Sequence, residues 1–287
     1  ALSDPELAGW IDENCSFPNS MVDCIVPATG RVELDLAASF GVLDLAPVTH
    51  ENFRQWVIED DFCAGRPAWE EVGATLADDV HAYEAMKLRV LNGGHQLIAI
   101  AGDLLGIESI AGCMADADIA AFLRKTTLEE VIPNVQPVVG MAPDAYLNLI
   151  ERRFANAEII DTTRRVAFDG SSRQPGFIVP SIVDALKHGQ PVDGLALMSA
   201  LWMRYCLGKR DDGTTTEPND PNWSALRAVA GEALEKPELW LQQQQYYGDL
   251  ADAPRFRDAF IGWAKRLQAV GVSAALEEFS AAELMQA

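Results

Sequence analysis

Between Lys87 and His95 the chain reads KLRVLNGGH, which brings a lysine, an amide and an imidazole into one short stretch. On an ordinary α-helix with Lys87 as origin, Asn92 falls at about 140°, His95 at about 80° and Glu84 at about 60°, so all four share one side. Lys87 and His95 then stand ~12 Å apart along the axis, a span suited to successive atoms of an extended, many-hydroxylated ligand. These residue types fit the oxidation of a secondary alcohol. A lysine desolvated in a cleft can lose its proton near neutrality and accept one from a hydroxyl, which makes Lys87 the candidate base. The amide of Asn92 can donate to the developing alkoxide. Glu84, one turn before Lys87, can relay the ammonium proton or pair with it, and His95 can hydrogen-bond a neighbouring hydroxyl. The Gly93-Gly94 pair costs a helix about 1 kcal/mol per glycine relative to alanine, which suits a place where a ligand or another backbone comes close.

Positioning such a row requires a stable helical scaffold, and the pattern predicts one. Residues 1–65 hold short strand-like runs, SMVDCIVPAT, RVELDL and QWVIED, separated by turns. After Pro67 the apolar residues recur at three and four, first in WEEVGATLADDVHAYEAMKLRVLNGGHQLIAIAGDLL and then in DADIAAFLRKTTLEEVIP, APDAYLNLIERRFAN and PSIVDALKHGQ. The apolar LALMSALWMRYCLG follows, with Met198, Trp202, Met203 and Tyr205 expected in the core. The polar, proline-interrupted stretch from Lys209 to Asn222 predicts a loop or flexible insertion. SALRAVAGEAL, FRDAFIGWAKRLQAVG and SAALEEFSAAELM predict closing helices, and the glutamines 242–245 are expected within a helix. The expected fold is mainly α, a multi-helix domain over 66–287 preceded by a small β-containing segment over 1–65.

Composition narrows the function. The sequence is 49% hydrophobic, enough for a full core, and 43 acidic against 22 basic residues give a formal charge of -21. Such a charge disfavours nucleic acid and anionic membranes as partners. Cys15, Cys24, Cys63, Cys113 and Cys206 are odd in number and scattered, which predicts neither a disulfide framework nor a zinc site and suits a reducing cytoplasm. His50, His81, His95 and His188 form no HxxxH or HExxH pattern, so a metal-free, lysine-based mechanism is expected. The most apolar run, LIAIAGDLLGIESIAG, is interrupted by Asp103 and Glu108 and predicts a buried helix rather than a membrane span.

Lys87-x4-Asn92-x2-His95 resembles the catalytic helix of the mannitol dehydrogenase family, the polyol-specific long-chain dehydrogenases and reductases. CSFPNSMVDCIVP, Cys15 to Pro27, is similar to that family's signature, and the resemblance makes Asp23 a substrate contact; the family usually has arginine after this aspartate, where this chain has Cys24. DTTRRVAFDGSSRQPGFIVP, Asp161 to Pro180, is similar to a second family segment, and the resemblance makes Arg165 and Arg173 cationic substrate contacts. Relatives often carry lysine at the second position, and an arginine there offers a planar fork instead of a point charge. FRQWVIEDDFCAGRPAW, Phe53 to Trp69, looks like the family's linking segment. The resemblance implies a fold like the helical domain of phosphogluconate-type dehydrogenases and NAD-linked (or NADP-linked) interconversion of a mannitol-like polyol and its 2-ketose. It also implies a monomer. A dinucleotide-binding domain precedes this portion in the family and carries a second oxyanion-stabilising asparagine, yet no strand followed by GxGxxG occurs in these 287 residues. The chain is therefore expected to be the substrate-side portion, inactive alone and partnered by its own Rossmann-type domain. Two alternatives stand beside this one: a hexuronate (fructuronate-type) reductase of the same family, and a non-catalytic helical module that binds a sugar or a protein.

Overall fold

A computed structural model describes residues 4–281, which divide into two compact units, one ending at Ala85 and one beginning at Met86. In the first unit, three short strands form one sheet in the order β1 (Ser20–Asp23), β2 (Gln55–Glu59), β3 (Thr75–Ala77). β1 runs antiparallel to β2 with Met21 opposite Val57, and β2 runs parallel to β3 with Ile58 opposite Leu76. The side-chain alternation of a strand turns Met21 and Asp23 inward and leaves Ser20 and Val22 outside.

Two expectations are corrected here. RVELDL forms a helix, Arg31–Ser39, in place of a strand. The carboxylate of Glu33 accepts from the Gly30 N–H at 2.7 Å, and Arg31 pairs with Asp35 one turn on at 3.0 Å; both contacts need helical spacing and outweigh the alternation of Val32, Leu34 and Leu36. The stretch after Pro67 does not become helical at once: Trp69–Val72 is a 3-10 turn and Thr75–Ala77 joins the sheet before the helix His81–Met86 begins. Several large apolar side chains of this unit face outward, with Phe40, Leu43 and Leu45 exposed to 77%, 90% and 88%.

The second unit is mainly helical and begins at Met86, twenty residues after the start that the sequence pattern suggests. Its central helix, Gly93–Leu104, is buried at every position but His95. Thr163–Ala167, Ala117–Thr126 and the apolar Asp193–Tyr205 pack around it. The long Pro254–Ala281 helix lies along Asp193–Tyr205 and is broken at Gly271, whose φ of 82° only glycine adopts without strain. The predicted final helix, SAALEEFSAAELM, continues to the limit of the description, and its residues 282–285 lie outside the described residues. Met198, Trp202, Met203 and Tyr205 are all buried as expected, with Trp202 edge-on to Trp240 at 4.9 Å. The glutamine run is not a continuous helix: Glu238–Leu241 ends before it and Gln244–Tyr247 begins inside it. No described helix is long and apolar enough to cross a membrane.

Three π-helical turns interrupt the regular helices of this unit: Lys87–Asn92, Thr127–Val131 and Gln174–Ile178. The first packs against both of the others. Such turns are rare and tend to occur at functional positions.

Candidate active site

The lysine and asparagine singled out by spacing lie at the two ends of the first π turn. Its widened hydrogen bonding, seen where the Gly93 N–H reaches back five residues to the Leu88 carbonyl, changes the geometry expected of an α-helix. In an α-helix residues five apart diverge by about 140°. In a turn closed from i to i+5 each residue advances by less than the α-helical 100°, which narrows the angle between residues five apart such as Lys87 and Asn92. The π turn therefore turns Lys87 and Asn92 closer to one face than 3.6-residue spacing predicts.

The glycine pair has the purpose expected of it. A Cβ at Gly93 would lie 3.4 Å from the Phe177 carbonyl, and one at Gly94 would lie 3.0 Å from a Leu123 methyl. The close neighbour at Gly93 is therefore the backbone of the third π turn. Lys87 and Asn92 are both part-buried, and the amide of Asn92 has no hydrogen-bond partner among the described residues, so its N–H groups are available to a ligand.

One turn on, His95 stacks on Phe154 with ring centroids 4.0 Å apart and 16° between planes. Desolvation of this part-buried ring, followed by the charges of Arg165, Arg153 and Arg173, pushes its pKa down to about 3. The imidazole is consequently neutral at physiological pH and can both donate and accept. The same electrostatics place the two arginines selected by the sequence in the field of His95, and add Arg153.

Arg165 and Arg173 are held differently. Arg165 is gripped by the buried Asp161 four residues earlier, through its Nε at 2.6 Å and through a second, shorter bond from Nη2. Arg173 donates from Nη1 to the Val166 carbonyl at 2.7 Å, an oxygen that also accepts from Gln96 Nε2 at 2.8 Å. No carboxylate pairs with Arg173 among the described residues, and burial together with the charge of Arg165 lowers its pKa. It is the less compensated cation of the two.

The segment between these arginines turns at Asp169, which has φ 57° and is the sole non-glycine residue with positive φ among those described. That conformation costs an L-residue ~1 kcal/mol or more. Next to it Gly170 meets the Trp202 indole so closely that a Cβ would lie 2.5 Å from Nε1.

Asp23 and Glu84 belong to the first unit. Asp23 is buried at the end of β1, opposite Gln55. Cys24, which stands where the family has arginine, has its Sγ 3.7 Å from His50 Nδ1. Glu84 lies 3.5 Å from His81 Nδ1. The residue that sequence reasoning passed over is Arg153. It falls on the buried stripe of the Pro143–Phe154 helix with Tyr146, Leu147, Ile150 and Phe154, and a charged residue in register with that stripe was the available signal.

Comparison with known proteins covers nearly the whole chain. Residues 79–268 match the family model of the mannitol dehydrogenase C-terminal domain, and residues 1–71 match that of the mannitol dehydrogenase Rossmann domain. Mannitol 2-dehydrogenase of Cereibacter sphaeroides is 52% identical over 98% of this chain and 59% of its own length. Its counterpart from Phaeosphaeria nodorum is 37% identical over 96% of this chain and 49% of its own length. Among solved structures, the ternary complex of Pseudomonas fluorescens mannitol 2-dehydrogenase with NAD and D-mannitol superimposes with a TM-score of 0.87 at 34% identity, covering 96% of this chain and 56% of that one. A substrate-free D-sorbitol dehydrogenase gives 0.84 at 31% identity, covering 95% and 57%. The chain thus spans between about half and three fifths of the length of the relatives it matches.

Proposed function

The chain belongs to the mannitol dehydrogenase family, and from that premise we propose that it is the substrate-side portion of an NAD-dependent enzyme interconverting a mannitol-like polyol and its 2-ketose. The observation that carries this reading is the first π turn: Lys87 and Asn92 share a face, the Asn92 amide has no described partner, and a neutral His95 follows one turn later.

In the oxidative direction Lys87 Nζ takes the proton of the reacting hydroxyl. Asn92 donates to the oxygen as negative charge builds there, an interaction stronger in the transition state than in the bound alcohol. His95, Arg165 and Arg173 hold the remaining hydroxyls. Asp23 and Glu84 enter on the family pattern, the first as a further substrate contact and the second as the group that passes the proton from Lys87 onward. No metal is needed for these steps.

NAD is the hydride acceptor implied by the solved relative, whose complex contains it. The described residues do not by themselves fit a dinucleotide: no strand leads through a GxGxxG turn into a helix. We assign nucleotide binding to a Rossmann-type domain of which residues 1–71 form part, and the exposed Phe40, Leu43 and Leu45 are apolar surface on which the rest of such a domain can pack.

A second reading is favoured by one feature. Arg173 has no described carboxylate partner, and a guanidinium binds a carboxylate in a bidentate manner, so a keto-uronate is the competing substrate. Steady-state kinetics of the full-length protein with NAD and mannitol, against NAD and mannonate, test the two. The polyol reading requires the higher kcat/KM with mannitol; a preference for mannonate replaces it with the uronate reading, and inactivity toward both ends the assignment.

A further inference from the structure

The stretch from Lys209 to Asn222 looks like a flexible insertion in the sequence, but its last third is tied to the arginine-bearing segment by a dense set of bonds. The Glu217 carbonyl accepts from Arg164 Nη2 at 2.8 Å, and Asn219 Nδ2 donates to the Arg164 carbonyl at 2.8 Å. The Asn219 carbonyl accepts from the Asp169 N–H at 3.1 Å, at the residue with the left-handed backbone. Asp220 then takes both donors of Ser171: the backbone N–H at 2.7 Å and the hydroxyl at 2.8 Å. Asn222 Nδ2 closes the set on Ser171 Oγ at 3.0 Å. Every one of these bonds lands between Arg164 and Ser171, and none touches the side chain of Arg165 or Arg173.

Two features of that segment need an outside restraint. Asp169 adopts a left-handed backbone conformation, and its carboxylate meets only the Ser171 hydroxyl, at 3.4 Å, with no backbone N–H of the following helix capped. The turn also holds Arg165 and Arg173 within each other's electrostatic field, and like charges push it open. A strap fixed by a charged acceptor on Ser171 and a carbonyl on the Asp169 N–H opposes both.

We propose that Asn219 and Asp220 are positioning residues, which set the affinity for the substrate's remote hydroxyls by holding the left-handed turn that aims Arg173 relative to Arg165. The proposal rests on the reading of Arg173 as a substrate contact. None of the bonds made by Glu217, Asn219, Asp220 and Asn222 reaches the Lys87–Asn92 turn, so the strap is expected to act on binding of the substrate more than on the proton-transfer step.

The test is a double-mutant cycle on the full-length protein, with KM and kcat measured for the polyol and KM for the nucleotide. Asp220→Ala is expected to raise the polyol KM about tenfold with kcat within about twofold and the nucleotide KM unchanged. Asp220→Asn, which keeps one acceptor oxygen, falls between. In an Arg173→Ala background, Asp220→Ala adds nothing further to KM, because the strap acts through Arg173. Effects on KM that multiply across the pair, or a loss confined to kcat, overturn the proposal. Should Asp220→Ala fail to fold, Asp220→Asn and Ser171→Ala carry the same cycle. An unchanged KM in Arg173→Ala alone is a different failure, which removes Arg173 from the substrate site and the strap's role with it.

Discussion

The candidate site draws on two segments of the helical unit that are held in place by opposite means. Lys87, Asn92 and His95 belong to a helical run whose backbone hydrogen bonds fix their spacing, with the π turn as its one irregularity. Arg165 and Arg173 flank a strained turn whose position depends on bonds to a distant loop and to Asp161. The difference matches the proposed division of labour. Proton transfer requires atoms placed to within a fraction of an ångström, and a helix packed against other helices provides that rigidity. Gripping several hydroxyls tolerates more adjustment, and a strapped turn provides it. Changes in the first segment should therefore appear in kcat and changes in the second in KM.

The largest expected effect is that of Lys87→Ala in the full-length protein, a fall in kcat on the order of 10³ with nucleotide affinity nearly unchanged, read by steady-state kinetics and nucleotide fluorescence titration. Asn92→Ala comes next, with a loss on the order of 10² in kcat and little change in polyol KM. Arg173→Ala tests the other segment and is expected to raise polyol KM about tenfold or more while kcat stays within a few-fold; a collapse of kcat would erase the distinction between the segments.

A stability measurement sharpens the comparison from outside the site. Asp103, buried on the central helix, accepts from Arg210 at 2.6 Å and lies 3.4 Å from Arg164. It thereby anchors the strap at its start and the arginine segment at its side. Asp103→Ala takes the carboxylate from both guanidinium groups while Arg164 keeps the Glu217 carbonyl and Arg210 the backbone carbonyl of residue 103, and because each is also partly solvated the expected cost is about 2 kcal/mol by urea unfolding, below that of a fully broken buried pair.

A last effect is one of pH. His95 has a folded pKa of about 3 against an ordinary value of 6.5. As pH falls from 6.5 toward 3, the unfolded chain takes up a proton that the folded one refuses, so this group favours folding less and less as acid is added. Glu130 acts in the opposite sense. Burial raises its carboxyl to about 7 despite the bonds it accepts from the Gly194 and Leu195 N–H groups, so its contribution is full below about 4.5 and is lost as pH rises to 7. Unfolding midpoints of His95→Asn should accordingly drop less than those of the parent between pH 7 and pH 4, whereas Glu130→Gln should drop less than the parent between pH 5 and pH 8.

Most of the helical unit was legible because its elements carry their own signals: the Pro143-Asp144 opening of one helix, the unbroken apolar run of Asp193–Tyr205, the glycine pair beside Lys87. The site residues were legible as types and as a family pattern, while their geometry was not. An i→i+5 turn leaves no mark in the period of so short a stretch, so the π turn at Lys87–Asn92 could not be read there. RVELDL was misread because alternation over six residues fits a strand, whereas capping by Glu33 and the Arg31–Asp35 pair decide for a helix. The strap was invisible for a different reason. Its polar residues are those of any loop, and its meaning lies in partners some fifty positions away, such as Ser171 for Asp220.

The central claim, that Lys87 on the π turn is the base, is tested most directly by the turnover of full-length Lys87→Ala with mannitol and NAD, measured with and without a small primary amine. A free amine entering the vacated space should restore part of the lost rate, more so as pH rises and its neutral form accumulates, without altering the KM for nucleotide. Near-normal turnover of the variant with no amine present would contradict the account.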